Sequence, residues 1–411
     1  MIIRFGISSL RLAEEQLASL VSTTDTTLEI EDSTTFSEPT VPDHLTVLGI
    51  ASWASKAVGT TVRLPLKKTA TKDQLAVLVG HVGIVAALRC CEHWLDVDGL
   101  SISADQLRML QGMHAQSHFL GDIIGSAKSR GKRSVSLIAE KSDKLLSTIP
   151  LAGHQFSFAD DWGRAHLGTT LLARGNQEFC QLIATVIAEL GSAGFRSPPD
   201  QLSDAVGTML FEVFENAHLH GSCDRKSTVL RSEYFYGLTA RITNVARFTG
   251  ETPPPGFEPD QLPYLYQLFK STDADELSFI EFVVFDSGIG MVERFIESFA
   301  AGYGTARFLP YDRQHEIVER CFRLHETSRN EGTHFGVGLA RVLRHLRKSH
   351  AFLRLRTEGV FCFTNFCEKK LESSTPGFLT RALVNRNDGR SDGTVAPTRG
   401  TFVSVTIPIL W

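Results

Sequence analysis

Phe279-Ile280-Glu281-Phe282-Val283-Val284-Phe285-Asp286-Ser287-Gly288-Ile289-Gly290-Met291 joins a buried strand to a tight turn. The run from Phe279 to Phe285 is nearly all apolar and rich in aromatic and β-branched residues, which predicts a strand covered on both faces. The two glycines that follow let the backbone turn sharply and come close to a ligand. An Asp at the strand end can accept a hydrogen bond from an exocyclic amine. On its own this segment also fits an ordinary Asp/Gly turn.

Upstream lies Glu212-Val213-Phe214-Glu215-Asn216-Ala217-His218-Leu219-His220-Gly221. Ser203 can cap a helix that runs on to His220. Positions four apart share a helix face, so Glu212, Asn216 and His220 form one polar stripe. Met209, Leu210, Val213, Phe214 and Ala217 supply the apolar packing. Asn offers a neutral oxygen to a hard cation, and Glu can orient or deprotonate a water. A polar surface stripe is the plainer reading of this segment alone. Downstream, Gly332-Thr333-His334-Phe335-Gly336-Val337-Gly338-Leu339 opens a helix that continues to Leu346. Glycines before a helix leave free N–H groups at the positive dipole end, which suits phosphate. Gly400-Thr401 opens a closing strand, Phe402 to Ile407.

In this order and at these positions, the four segments resemble the boxes of the GHKL ATPase superfamily, which includes gyrase, the heat-shock chaperone ATPases, histidine kinases and MutL. Glu212 to Gly221 is similar to its N box, Asp286 to Gly290 to its DxGxG box, and Gly332 to Leu339 to its GxxxGxGL box. The resemblance implies a Bergerat fold, an α/β sandwich of a mixed sheet backed by helices, over residues 151–411. It implies ATP and Mg²⁺ as ligands. Asp286 would receive the adenine amino group, with Thr401 holding a water, and Gly288 and Gly290 would shape the base pocket. Asn216 would ligate Mg²⁺, and Glu212 would be the general base. The nucleotide-contacting set would be Asn216, Asp286, Gly288, Gly290, Met291, Thr327, Ser328, Arg329, Gly332, Thr333, Gly336, Val337, Gly338, Leu339 and Thr401. Residues 291–331 would be the ATP lid, where His325 to Arg329 is similar to a His-x-Thr-Ser-Lys run of MutL lids. Arg329 stands in place of that Lys, and the two are not interchangeable.

Glu rather than Asn at position 212 is similar to gyrase, MutL and the anti-sigma-factor serine kinases, and departs from histidine kinases. The expected activity is Mg-dependent ATP hydrolysis by a nucleotide-driven switch acting on an unidentified protein partner. The alternatives are an anti-sigma-type serine/threonine protein kinase and a non-catalytic nucleotide-binding module. The spacing from Asn216 to Asp286 is longer than in the small kinases. Residues 247–278, with Pro253-Pro254-Pro255, Pro259 and Pro263, read as an insertion, and Thr249 to Pro263 as loop. No phosphoacceptor box surrounds His81, His93, His114 or His118, which argues against a sensor histidine kinase. Gly125 to Ser134 is not a P-loop, because Arg133 stands where a Ser or Thr must hold Mg²⁺.

Residues 1–150 alternate strand-like and helix-like runs and predict a smaller α/β domain. Strands are expected at Thr27 to Ile30, Thr60 to Leu66 and Ser134 to Ile138. Helices are expected at His44 to Ala57, Lys72 to Leu95 and Ala104 to Ser126. At 411 residues the chain has room for about two to three domains. It is 42% apolar and 21% charged, which excludes a disordered chain. Its 42 Lys+Arg against 46 Asp+Glu leave −4, so the overall balance gives no reason to expect nucleic acid or a polybasic membrane surface. The basic run Lys128 to Arg133 reads as a solvated interdomain face. The longest apolar run, Leu75 to Leu88, is too short to span a bilayer, and the N-terminus makes a poor signal peptide. Seven scattered cysteines without a CxxC pair fit reduced thiols and a cytoplasmic setting. A homodimer is expected only by fold analogy.

Overall fold

The computed structural model describes residues 1–7, 9–31, 41–67, 82–102, 134–140, positions scattered between 177 and 187, 200–220, 235–299, 306–323, 338–368, 377–381 and 395–409. They form two sheets and two helical layers, an α/β architecture with one parallel and one antiparallel sheet.

The first sheet is built from β1 (Ile2–Ile3), β2 (Thr27–Ile30), β3 (Thr61–Arg63) and β4 (His93–Leu95), in that order and all parallel. Between them run α1 (Leu10–Ser22), α2 (Val41–Ala54) and α3 (Val82–Cys90). Right-handed crossovers, the rule for parallel neighbours in this order, would put the helices on one face, and α2 packs on both α1 and α3. Every residue of α2 is buried, including Asp43, His44, Thr46 and Ser52. A helix with no solvated polar face must be covered on all sides. The second sheet supplies that cover, since α2 also packs on β7 and β11. Of the helix expected from Lys72 to Leu95, Val82–Cys90 is helical, residues 72–81 lie outside the described residues, and His93–Leu95 joins the sheet as an edge strand.

The second sheet has the order β10-β9-β8-β11-β7-β6-β5. Its strands are β5 (Ser134–Glu140), β6 (Phe235–Ala246), β7 (Glu276–Asp286), β8 (Phe352–Thr357), β9 (Val360–Asn365), β10 (Thr380–Arg381) and β11 (Thr401–Ile409). The expected mixed sheet is corrected here, because every neighbouring pair is antiparallel. β7 and β8 run in the same direction, as a helical crossover requires, but β11 inserts between them against both. The domain boundary also moves. β5 pairs with β6 along its whole length, so the edge of this sheet comes from before residue 150.

Alternation along the strands separates two faces. Ile280, Phe282 and Val284 of β7, with Val403, Val405 and Ile407 of β11, face a layer of α4 (Asp200–His220), α6 (Met291–Phe299), α7 (Tyr311–Cys321) and α8 (Gly338–Lys348). Phe179, Ile183 and Ile187 join this core at helical spacing. Val283, Phe285, Phe361 and Phe402 face the other way, into the core shared with α1–α3. The rest of that face is covered by α5 (Leu262–Thr272), whose Tyr264, Leu265, Leu268 and Phe269 pack on Phe279 and Phe352. The Pro-rich stretch is therefore not all loop. A 3-10 turn spans Pro259–Gln261, and Pro263 lies in the first turn of α5, where its missing N–H costs nothing.

The lid expectation is corrected for its described part. Val292, Phe295 and Ile296 of α6 and Ile317, Val318 and Phe322 in and after α7 are buried in the main core. A segment so embedded cannot swing away from a ligand without opening that core. Residues 300–305 and 324–331 of the expected lid lie outside the described residues.

Candidate functional site

Three neighbouring strands end in polar residues on the helix-facing side. Asp286 of β7 stands opposite Thr401 of β11, which stands opposite Thr357 of β8. By alternation all three share the face of Val284, Val403 and Leu355. A polar row thus closes an otherwise apolar surface.

Asp286 is only 6% exposed. Its Oδ1 accepts the Gly288 N–H at 2.8 Å, and the Thr401 N–H also donates to this carboxyl group. Burial pushes its pKa up to about 7, against the pull of these donors and of Arg399. The Thr401 and Thr357 hydroxyls lie 3.1 Å apart. Gly400 N–H donates to Gly288 carbonyl at 2.7 Å, locking the turn to the chain that enters β11.

The glycines have backbone reasons to be there. Gly290 has φ +92, and a Cβ on it would lie 2.3 Å from the Glu358 carboxyl. That carboxyl caps α6. It accepts the Glu293 N–H at 2.8 Å, while Thr357 Oγ1 accepts the Met291 N–H at 3.0 Å. The turn after β8 thereby satisfies N–H groups in the first turn of α6 that have no partner within the helix. Gly290 is fully accounted for by this close approach, whatever else the turn does.

Burial raises the Glu358 carboxyl from 4.5 to about 8, despite the Thr357 and backbone donors. The folded protein therefore holds a proton that the unfolded chain releases above about pH 4.5. Its contribution makes stability fall as pH rises from about 4.5 to about 8, and Asp286 adds the same sign from 3.8 to about 7. Glu358→Gln mimics the protonated form. Its stability advantage over wild type should grow by about 1.4 kcal/mol per pH unit through that window and then level off. Urea midpoints at pH 5 and pH 8.5 check it, and a pH-independent difference would refute the assignment.

On the helix layer, α4 lies across β6 and β7 and packs on α8. Asn216 Nδ2 donates to the Glu212 carbonyl at 2.6 Å, one turn back. Oδ1 is the hard neutral oxygen of this side chain, the atom type suited to Mg²⁺. Glu212 Oε1 accepts from Arg341 Nη1 of α8 at 3.2 Å, with the Glu212 side chain 15% exposed. Gly338 begins α8, and Leu339 packs against the main core.

The structure thus gathers Asp286, Gly288, Gly290, Met291 and Thr401 at the strand ends. It sets Glu212 and Asn216 on a helix that packs on the same side of the sheet, bridged to α8. Thr327, Ser328, Arg329, Gly332, Thr333, Gly336 and Val337 lie outside the described residues. Sequence reasoning missed Thr357, Glu358 and Arg341. The first two sit where the expected strand pair Leu353 to Thr357 and Val360 to Phe363 must turn, a place to look for capping groups. Among the described residues no cluster of three or more His, Cys, Asp or Glu could hold a metal, and no helix is long and apolar enough to cross a membrane. Compared with family models, curated proteins and solved structures, the chain matches none.

Proposed function

We propose that the C-terminal unit is a Bergerat-type module of the GHKL kind that binds Mg·ATP and hydrolyses it, and that it acts as a nucleotide-driven switch on a protein partner. The observation that carries this reading is the row Asp286, Thr401 and Thr357, at the ends of three neighbouring strands and facing the helix layer that bears Glu212 and Asn216. The crossover from β7 to β8 around an inserted β11 supports it. So does the start of α8 at Gly338, directly after a glycine-rich run.

In this reading Asp286 accepts the amino group of the base and Thr401 holds the adjoining water. Asn216 Oδ1 would hold the Mg²⁺ that accompanies the phosphates, which would supply Lewis-acid neutralisation of phosphate charge. Glu212, oriented by Arg341, takes the proton of the attacking water. The N–H groups at the start of α8 receive the phosphate tail.

Titration calorimetry of Mg·ATP against wild type and Asp286→Ala tests the reading. A hydrogen bond to a charged group contributes about 1.5–3 kcal/mol, so the variant should bind about tenfold to a hundredfold more weakly. Equal affinity of the two proteins would remove Asp286 from the site. Gamma-labelled ATP then identifies the acceptor. Label released as phosphate is the expected result, and label on a protein hydroxyl would make this chain a kinase.

A further inference from the structure

The polar row has a counterpart on the opposite face of the same strands. Arg356 precedes Thr357 on β8, so it points away from the helix layer and into the N-terminal unit. It is 0% exposed. Its Nε donates to Glu14 Oε1 of α1 at 2.7 Å, and Nη2 to Glu14 Oε2 at 3.4 Å, across 342 positions of sequence. The same guanidinium donates to the carbonyls of Glu358 and of Ala396, the latter at 2.6 Å. Thr398 N–H donates to the Glu358 carbonyl at 3.1 Å. From α2, Ser52 Oγ accepts the Arg399 N–H at 2.7 Å. The chain from Ala396 to Gly400, immediately before Thr401 and against Asp286, is therefore tied to the N-terminal unit directly through Arg399 and Ser52, and indirectly through Arg356, which holds both the Ala396 carbonyl and Glu14.

We propose that the Glu14–Arg356 pair couples the N-terminal unit to the nucleotide site, so that displacement of α1 loosens the Ala396–Thr401 segment and weakens nucleotide binding. This regulation rests on the reading of Asp286 and Thr401 as the base-binding end. Arg356 is a positioning residue. It touches no ligand, and it acts by clamping the backbone that presents Thr401 to Asp286. A guanidinium left in this interior without its carboxylate is unsatisfied in charge, which is why the pair transmits rather than merely packs. Coupling of this kind is reciprocal, so Mg·ATP should in turn slow amide exchange in α1.

The test uses the full chain. Glu14→Gln keeps shape and removes the charge. Val62→Ala opens a cavity in the same N-terminal core and serves as the control for general loosening. Two quantities are read, amide exchange over residues 396–401 and at Gly288, and the Kd of a fluorescent ATP analogue. Glu14→Gln should speed exchange there by about tenfold and raise Kd by about tenfold, while Val62→Ala shifts neither beyond about twofold. Wild-type values in Glu14→Gln, or equal effects in Val62→Ala, would overturn the coupling. Should Glu14→Gln fail to fold, Ser52→Ala removes the second tie and is read by the same two measurements. Failure of wild type to bind the analogue would overturn the functional reading instead, and the exchange data would still decide whether α1 controls the Ala396–Thr401 segment.

Discussion

Glu212→Ala should bind Mg·ATP within about twofold of wild type and lose turnover by about 10²–10⁴-fold, the range a positioned general base contributes. The separation follows from where the side chain sits. Glu212 is on α4 with its carboxylate against Arg341, whereas the groups assigned to the base and to the metal are Asp286, Thr401 and Asn216. The ion pair with Arg341 is partly exposed, and such pairs contribute about 0–1 kcal/mol, so the fold should survive its loss. Glu212→Gln sharpens the experiment. The amide oxygen still accepts from Arg341 and preserves the bridge between α4 and α8, but it cannot take a proton. Equal loss of turnover in both variants assigns the effect to basicity. Recovery in the Gln variant would assign it to the bridge, and ordinary hydrolysis by a clean Ala preparation would remove the base role altogether.

The strand that carries Asp286, the glycine turn that follows it and the helix that carries Glu212 were legible because their signals are local. A nearly unbroken apolar run predicts a doubly covered strand, and β7 is buried on both faces. What lay beyond reach depends on long-range register. Thr357 and Glu358 acquire their roles only when the turn after β8 meets the first turn of α6, 65 and 66 positions away in sequence. The lid expectation failed over α6 for a related reason. Its charged positions Glu293 and Arg294 resemble those of a solvated loop until Val292, Phe295 and Ile296 are seen to share the face turned to the core. The N-terminal alternation announced α/β structure but not its docking. One clue was present: apart from Asp43, His44, Thr46 and Ser52, α2 is apolar, with no single polar face, and a helix of that kind requires a second layer. β4 was absorbed into a helix because three residues at a sheet edge are too few to show a period of two.

Gly400→Ala should be among the most destabilising single changes in the chain, losing several kcal/mol, and Gly377→Ala supplies its control. Both glycines have left-handed backbones, φ +79 and φ +82. An Ala in that region costs roughly 1–2 kcal/mol wherever it stands. At Gly377 a Cβ would meet nothing within 4 Å, so that cost is the whole effect. At Gly400 the Cβ would fall 2.0 Å from the Asp286 carbonyl oxygen and 3.1 Å from Leu48 Cδ2. The first of these is backbone at the terminal pair of the β7–β11 ladder and cannot rotate aside as a side chain would. Relief requires β7 and β11 to part at the Asp286–Thr401 pair, or the entering chain to leave α2 and give up the Arg399 N–H bond to Ser52. Either route also breaks the Gly400–Gly288 hydrogen bond. Urea midpoints of the two variants measure the difference directly. Because the clash lies where the two units and the polar row meet, whatever folded Gly400→Ala protein is recovered should also show faster amide exchange at Gly288 than Gly377→Ala does. Equal stability of the two variants would mean that the Asp286 turn yields freely, which is incompatible with a preformed base pocket at that strand end.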